Sequence, residues 1–140
     1  MKPIFYLTCF IFLWSCSGNQ VDDKNCRFLL DIVVHHEINL SLPAYSQLQF
    51  AGNSVYIPNI GNGGVIVAST GVDFYAWDAS DPNHAPKECA PIIPDGLNGT
   101  SGCGNTYNFV TGIIDKNDGL SCPLKNYRIQ QNGNILTIYN

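Results

Sequence analysis

Cysteine and histidine are the residues of this sequence that could carry metal or redox chemistry. The 140-residue chain has six cysteines and three histidines. His35 and His36 are adjacent, so in a strand they point to opposite faces and cannot chelate one ion together. His84 has Asp81 as its only close carboxylate in the sequence. Neither histidine pattern predicts a metal site by itself.

The sequence also lacks the patterns of the common hydrolytic and phosphate-binding sites. It has no Gly-x-Ser-x-Gly motif and no glycine-rich loop leading into a helix. Asp73, Asp78 and Asp81 lie beside turns, where aspartate is favoured for conformational reasons. We therefore expect no catalytic residues and no enzymatic activity.

Cys16 follows a short apolar segment at the N terminus. Lys2 supplies a positive charge, and residues 3–14 are mostly apolar. This run is shorter than the roughly 20 apolar residues that span a bilayer but suits a signal peptide. Residues 13–16, Leu-Trp-Ser-Cys, resemble the bacterial lipobox, whose cysteine accepts a diacylglycerol. We predict a signal peptide over residues 1–15 and lipidation at Cys16.

Residues 16–25 form a polar stretch that contains Asp22, Asp23 and Lys24. This composition buries too little apolar surface to fold, so we predict a tether between the lipid and the domain. Acidic residues soon after a lipidated cysteine resemble the surface-export signals of Bacteroidetes lipoproteins. We expect an outer-membrane lipoprotein of the cell envelope, facing the periplasm or the cell surface.

Residues 26–140 have the composition of one loop-rich β domain. Only 13% of the whole chain is charged, with 13 glycines and 8 prolines. The net charge is −4 and the basic residues are scattered, which excludes a nucleic-acid interface. The expected partners are the membrane, through the lipid, and an unidentified protein or ligand.

Short β-branched and aromatic runs between glycine, asparagine and proline predict an all-β fold. Asn132-Gly133 is typical of a tight hairpin turn because both residues tolerate positive φ. Residues 78–106 are the least regular part, as expected of a functional loop or its remnant. The predicted strands cover residues 28–34, 37–42, 47–50, 55–57, 65–68, 74–77, 107–110, 126–131 and 134–139.

Four cysteines remain for the domain after Cys16, namely Cys26, Cys89, Cys103 and Cys122. An even number of cysteines in an oxidising compartment predicts two disulfides. Three pairings are possible, and the spacing of the cysteines does not select one of them.

A series of motifs over roughly residues 33–140 resembles Rieske [2Fe–2S] domains. Residues 74–79, Phe-Tyr-Ala-Trp-Asp-Ala, resemble the strand that leads to the first pair of cluster ligands. Residues 107–112, Tyr-Asn-Phe-Val-Thr-Gly, resemble the strand after the second pair, and residues 122–127 resemble the closing strands. The resemblance is to the Rieske-like lipoproteins of Bacteroidetes. It implies a small antiparallel β-sandwich or barrel with two loops at the cluster site.

The resemblance also allows the ligand positions of the family to be read residue by residue. Rieske domains use Cys-x-His and then Cys-x-x-His, with both cysteines on one iron and both histidines on the other. The corresponding positions hold Ser80, Pro82, Thr100 and Cys103. Serine, proline and threonine replace neither ligand, so we expect no cofactor and a structural or binding role.

An alternative is a redox protein built on the remaining cysteines. Cys89, Cys103 and His84 are the best ligand set for a [2Fe–2S] carrier with atypical ligands, and Cys89 with Cys103 could form a thiol–disulfide device. High-potential Rieske proteins join these same two loops by a disulfide. The resemblance therefore implies a Cys89–Cys103 bridge worth about 3 kcal/mol, which leaves Cys26 for Cys122.

Overall fold

The computed structural model describes residues 26–115 and 122–140. Cys16, the predicted signal peptide and the predicted tether lie outside these residues. In the described part of the chain, no helix is long and apolar enough to cross a bilayer. A short 3-10 helix spans Ser46–Gln49. The strands are β1 (His35–Asn39), β2 (Asn53–Ile57), β3 (Val65–Ser69), β4 (Phe74–Asp78), β5 (Ile93–Asp95), β6 (Asn98–Thr100), β7 (Thr106–Asn108), β8 (Asn126–Asn132) and β9 (Ile135–Tyr139).

The strands form two antiparallel sheets. The larger has the order β1-β9-β8-β4-β3-β2, and the smaller has the order β5-β6-β7. Both sheets are antiparallel throughout. The chain forms the small sheet between β4 and β8, which are neighbours in the larger sheet. The loops around the small sheet therefore extend from the part of the larger sheet that contains these two strands.

Strand β3 lies between two hydrophobic cores, which explains why all five of its residues are buried. Successive side chains of a strand point to opposite faces. Val65 and Val67 accordingly pack into the core of the larger sheet. Ile66 and Ala68 pack into a second core with Trp77 and other residues that support the small sheet. The apolar run of β3 therefore joins the larger sheet to the small one.

The predicted all-β fold and most of the predicted strands are confirmed, and so is the closing hairpin. β8 ends at Asn132, which pairs with Ile135 at the start of β9, so the turn is formed by Gly133 and Asn134, one residue later than predicted. Gly133 has φ of 59°. The predicted irregular segment, residues 78–106, contains the two short strands β5 and β6.

The strand predicted over residues 28–34 is wrong. This segment pairs with no strand and is mostly exposed, with Val33 86% accessible, although Val34 is buried in the core of the larger sheet. Its backbone is bonded by side-chain amides instead of a neighbouring strand. Asn62 bonds both the N–H and the C=O of Leu30, while Asn140 bonds Val34 N and Ile32 O. These side chains satisfy backbone groups that a sheet would otherwise have to pair.

The strand predicted over residues 47–50 is also wrong, because this segment forms the 3-10 helix. Leu48 N donates to Tyr45 O, and Phe50 N donates to Gln47 O, as the tighter helical turn requires. Leu48 is fully buried but Phe50 is 69% exposed. The apolar alternation that predicted a strand therefore does not correspond to one buried face.

Candidate functional site

Two loops meet at one end of the small sheet and form the candidate site. Loop 1, residues 79–92, connects β4 to β5, and loop 2, residues 101–105, connects β6 to β7. Ile92 N donates to Ala79 O at 2.7 Å, which closes loop 1 at its base. Gly102 N donates to Ala90 O at 3.0 Å, which joins the two loops.

A disulfide between Cys89 and Cys103 links loop 1 to loop 2, with 5.3 Å between the Cα atoms. The second disulfide joins Cys26 to Cys122. The structure thus contains both pairings that the family resemblance implied. Because residues 28–34 are not a strand, the second bridge ties an irregular segment, not a first strand, to the residues before β8.

Asn83 attaches loop 1 to the second disulfide. Its Oδ1 accepts a hydrogen bond from Cys122 N at 3.0 Å, and its Nδ2 donates to Cys122 O at 3.1 Å. The same Nδ2 lies 2.8 Å from the Tyr107 hydroxyl. Loop 1 is therefore held by one bridge directly and by the other through Asn83.

Asp81 belongs to loop 1 and is almost completely buried, with 4% exposure. Its carboxylate accepts four hydrogen bonds, which fill the sites that water would otherwise occupy. Three of the donors lie 20 to 26 residues further along the chain. The donors are Asn83 N at 3.0 Å, Ser101 Oγ at 2.7 Å, Asn105 Nδ2 at 2.8 Å and Tyr107 OH at 2.6 Å.

The charge of this network resides on Asp81. Burial acts to raise the pKa of its carboxyl group, but the hydrogen bonds, led by that of Tyr107, outweigh burial and hold the pKa below 3.8. Burial and the bond to Asp81 raise the pKa of the Tyr107 hydroxyl. Tyr107 therefore remains a donor, and Asp81 remains an ionised acceptor at neutral pH.

Asp78 organises the base of loop 1 and is fully buried. It accepts hydrogen bonds from Tyr127 OH at 2.7 Å and from Ser80 N at 2.9 Å. It also accepts from the backbone N–H groups of Asn62 at 2.8 Å and Gly63 at 3.3 Å in the β2–β3 turn. Burial and the bond to Asp78 raise the pKa of the Tyr127 hydroxyl. The start of loop 1 is therefore fixed to both the turn and β8.

His84 lies beside the disulfide, with its side chain 25% exposed. Its Nδ1 is 3.4 Å from Asp81 Oδ2 but does not make a hydrogen bond with it. Among the described residues this buried nitrogen has no hydrogen-bond partner. The potential ligand atoms of His84, Cys89 and Cys103 all lie within 4.8 Å of one another.

The four positions that correspond to cluster ligands in the family are divided between the loop regions. Ser80 and Pro82 belong to loop 1, Thr100 ends β6, and Cys103 belongs to loop 2. The Ser80 backbone bonds Asp78, and Thr100 Oγ1 lies 3.1 Å from Thr106 Oγ1 across the hairpin. Of the four, only Cys103 belongs to the group around the disulfide.

An apolar cleft of about 280 Å³ lies next to loop 1. Two of its side chains are well exposed, since Ile93 is 74% and Tyr56 is 37% accessible. The cleft adjoins Ala90, the neighbour of Cys89 in the chain. Its lining consists of Tyr56, Ala90, Pro91, Ile92, Ile93 and Pro94.

The sequence matches no family model and no curated protein. Among solved structures, it is similar to a chain of the complex of reduced oxygenase and oxidized ferredoxin in carbazole 1,9a-dioxygenase. That match has a TM-score of 0.51 and 17% identity, and it covers 76% of this chain and 93% of the other. The ferredoxin of carbazole 1,9a-dioxygenase from Nocardioides aromaticivorans IC177 matches with a TM-score of 0.47 and 14% identity, over 73% of this chain and 95% of that one.

The first of these similarities shows the fold alone, and it is the Rieske-like fold that the sequence motifs predicted. The [2Fe–2S] cluster of that fold needs two thiolates and two imidazoles, brought together by two loops. The group at the site offers one imidazole, and its two sulfurs are bonded to each other. These residues do not fit a Rieske cluster.

Proposed function

We propose that this protein is an exported, lipid-anchored Rieske-fold domain that holds no iron–sulfur cluster, catalyses no reaction and has a structural or binding role at the outer membrane. The proposal rests on one observation above all. The loops that would deliver the cluster ligands are joined by the Cys89–Cys103 disulfide and by the hydrogen bonds of Asp81.

These bonds offer a physical substitute for a cluster. A cluster crosslinks two loops through metal–ligand bonds. In this protein the Cys89–Cys103 disulfide and the buried Asp81 carboxylate, with its four hydrogen-bond donors, hold the loops together instead. A disulfide sulfur is not a thiolate, so Cys89 and Cys103 cannot ligate iron while they are bridged. The loops therefore have a defined arrangement that needs no metal.

A protein partner suits a domain of this kind. The solved structure with a similar fold comes from a complex of two proteins, an oxygenase and a ferredoxin. In the present chain, the apolar cleft beside loop 1 exposes Tyr56 and Ile93, residue types that stabilise contacts when buried. The net charge of −4 argues against nucleic acid.

The absence of a cluster can be tested by anaerobic reconstitution with ferrous iron and sulfide. The purified protein is expected to stay colourless and, after desalting, to contain no stoichiometric iron, because one imidazole cannot complete the second iron site. A His84→Ala variant treated in parallel should behave identically. Stoichiometric iron with a Rieske-type spectrum that disappears in His84→Ala would contradict the proposal.

The anchor is tested separately with Cys16→Ala. Loss of the thiol should abolish diacylglycerol transfer, so the protein should remain uncleaved or leave the membrane fraction. Fractionation and mass spectrometry of the N-terminal peptide measure both outcomes. Cys9 lies within the apolar run itself, with too little apolar chain before it for a lipobox, so Cys9→Ala is the matched control and should be processed normally. An N terminus elsewhere without a lipid would show that the lipobox interpretation is wrong.

A second candidate function is thiol–disulfide exchange at Cys89–Cys103. The observation that favours it is the position of the bridge, since Cys103 is exposed to solvent and His84 lies beside it. The property that separates the candidates is the reduction potential, because structural disulfides usually lie below about −300 mV.

A further inference from the structure

We infer that reduction of the Cys89–Cys103 disulfide creates a mononuclear zinc site whose protein ligands are Cys89, Cys103 and His84. The inference goes beyond the proposed function, which concerns the bridged form and stands whether or not zinc binds. The ligand set, two thiolates and one imidazole, is one that Zn²⁺ accepts while keeping a fourth position for water.

The distances at the site suit this ion. Tetrahedral zinc has bonds of about 2.3 Å to sulfur and about 2.0 Å to nitrogen, which places its ligand atoms roughly 3.5 to 3.8 Å apart. The three potential ligand atoms already lie within 4.8 Å of one another. Small side-chain rotations therefore suffice once the sulfurs are no longer bonded, and the loops can keep their positions.

The surroundings of His84 are those of a metal-binding histidine. Zinc-ligating imidazoles usually have one ring nitrogen directed at a carboxylate, which fixes the orientation of the ring. His84 Nδ1 is 3.4 Å from Asp81 Oδ2, and Asp81 is held by four other donors. Nδ1 makes no hydrogen bond among the described residues, so this ring nitrogen is not used by another structural contact.

Space for a fourth ligand is present on the solvent side. A cleft of about 410 Å³ includes Cys89 in its lining together with Ser80 and Lys87. Cys103 is exposed on loop 2. A water molecule can therefore reach a metal ion held by the two sulfurs, as in zinc sites with three protein ligands.

The reduction requires a small dithiol as the electron donor. One thiolate of the dithiol attacks Sγ of the exposed Cys103, the disulfide bond breaks, and Cys89 leaves as a thiolate. The second thiol of the reductant then attacks the mixed disulfide and releases Cys103 as a thiolate. Two electrons pass to the protein and the reductant becomes a cyclic disulfide. Its two protons move to the released thiolates, or to solvent when zinc binds them.

The experiment uses the folded protein with and without prior treatment by a dithiol, followed by removal of the reductant under anaerobic conditions. The reduced protein is expected to bind one equivalent of Zn²⁺, and the untreated protein none. With Co²⁺ as a spectroscopic probe, the reduced form should show sulfur-to-cobalt charge-transfer absorption. Zinc should also slow alkylation of Cys103 at least tenfold.

His84→Ala should weaken zinc binding by at least tenfold, because one of three protein ligands is lost. His35→Ala removes an exposed imidazole on β1 and should bind like the unchanged protein. Circular dichroism of each reduced sample, with and without zinc, reports whether the domain remains folded. Equal affinity in His84→Ala, zinc bound by the disulfide form, a reduced protein that unfolds, or a bridge that resists the dithiol would each overturn the inference.

Discussion

Replacing Asp81 by alanine should lower the free energy of unfolding by about 3 to 5 kcal/mol. The substitution removes the acceptor of four hydrogen bonds, and two of the donors, Ser101 Oγ and Tyr107 OH, belong to buried residues. A buried donor without a partner costs about 1 to 3 kcal/mol. Urea unfolding followed by tryptophan fluorescence measures the change. Asp95→Ala, an exposed carboxylate of β5, should change stability by less than about 0.5 kcal/mol.

The pH dependence of the free energy of unfolding separates the contribution of the Asp81 charge from that of the shape of its side chain. Its pKa in the folded protein lies below the ordinary value of 3.8. Well above pH 3.8 the carboxyl group is ionised in both the folded and the unfolded state, so its stabilisation is complete. As the pH falls below 3.8, the unfolded chain takes up the proton first, and the stabilisation declines until the folded pKa is reached.

Asp81→Asn keeps the size of the side chain and removes this contribution. The difference in stability between the unchanged protein and the variant should therefore be greatest near neutral pH and shrink in acid. A difference that stays constant from pH 7 to pH 2 would show that the carboxylate charge does not stabilise the fold.

Removing the Cys26–Cys122 disulfide should have a comparably large effect. Cys26→Ser with Cys122→Ser releases a bridge between residues 96 positions apart. In the chain-entropy model, a loop of about 100 residues corresponds to about 4.7 kcal/mol of lost stability. Urea unfolding of the double variant, compared with the unchanged protein, measures it.

The matched control is the other bridge. Cys89→Ser with Cys103→Ser opens a much shorter loop, with a sequence separation of 14, and should cost about 3 kcal/mol. Both double variants keep the remaining disulfide, which a thiol assay under denaturing conditions verifies. If the short-loop variant proves the less stable of the two, loop closure is not the main contribution of these bridges.

The strand pattern was decided largely by local sequence. The runs around Val65–Ser69 and Phe74–Asp78 are rich in β-branched and aromatic residues, and Asn132-Gly133 indicates a hairpin at this point of the chain. These preferences depend on neighbouring residues and so can be read from a single chain. The family motifs then indicated which two loops lie together, and with that the partner of Cys89.

Contacts between distant residues were decided only by the tertiary structure. The composition of residues 28–34 favours a strand, but their backbone groups are bonded by Asn62 and Asn140, one of them more than 100 residues away. In the sequence Asp81 is an ordinary turn residue next to Pro82. Burial turns it into the acceptor for donors 20 to 26 residues away.

The position of His84 follows from the same long-range packing. The family resemblance named His84 with Cys89 and Cys103 as a ligand set, but their spacing alone does not bring them together, since neither a strand nor a helix places residues at the intervals from His84 on one face. The disulfide and the Asp81 hydrogen bonds bring loop 2 against loop 1, and only then do the three side chains lie within ligand distance of one another. Local propensity determined the strands of this protein, and hydrogen bonds and covalent links between distant residues determined its site.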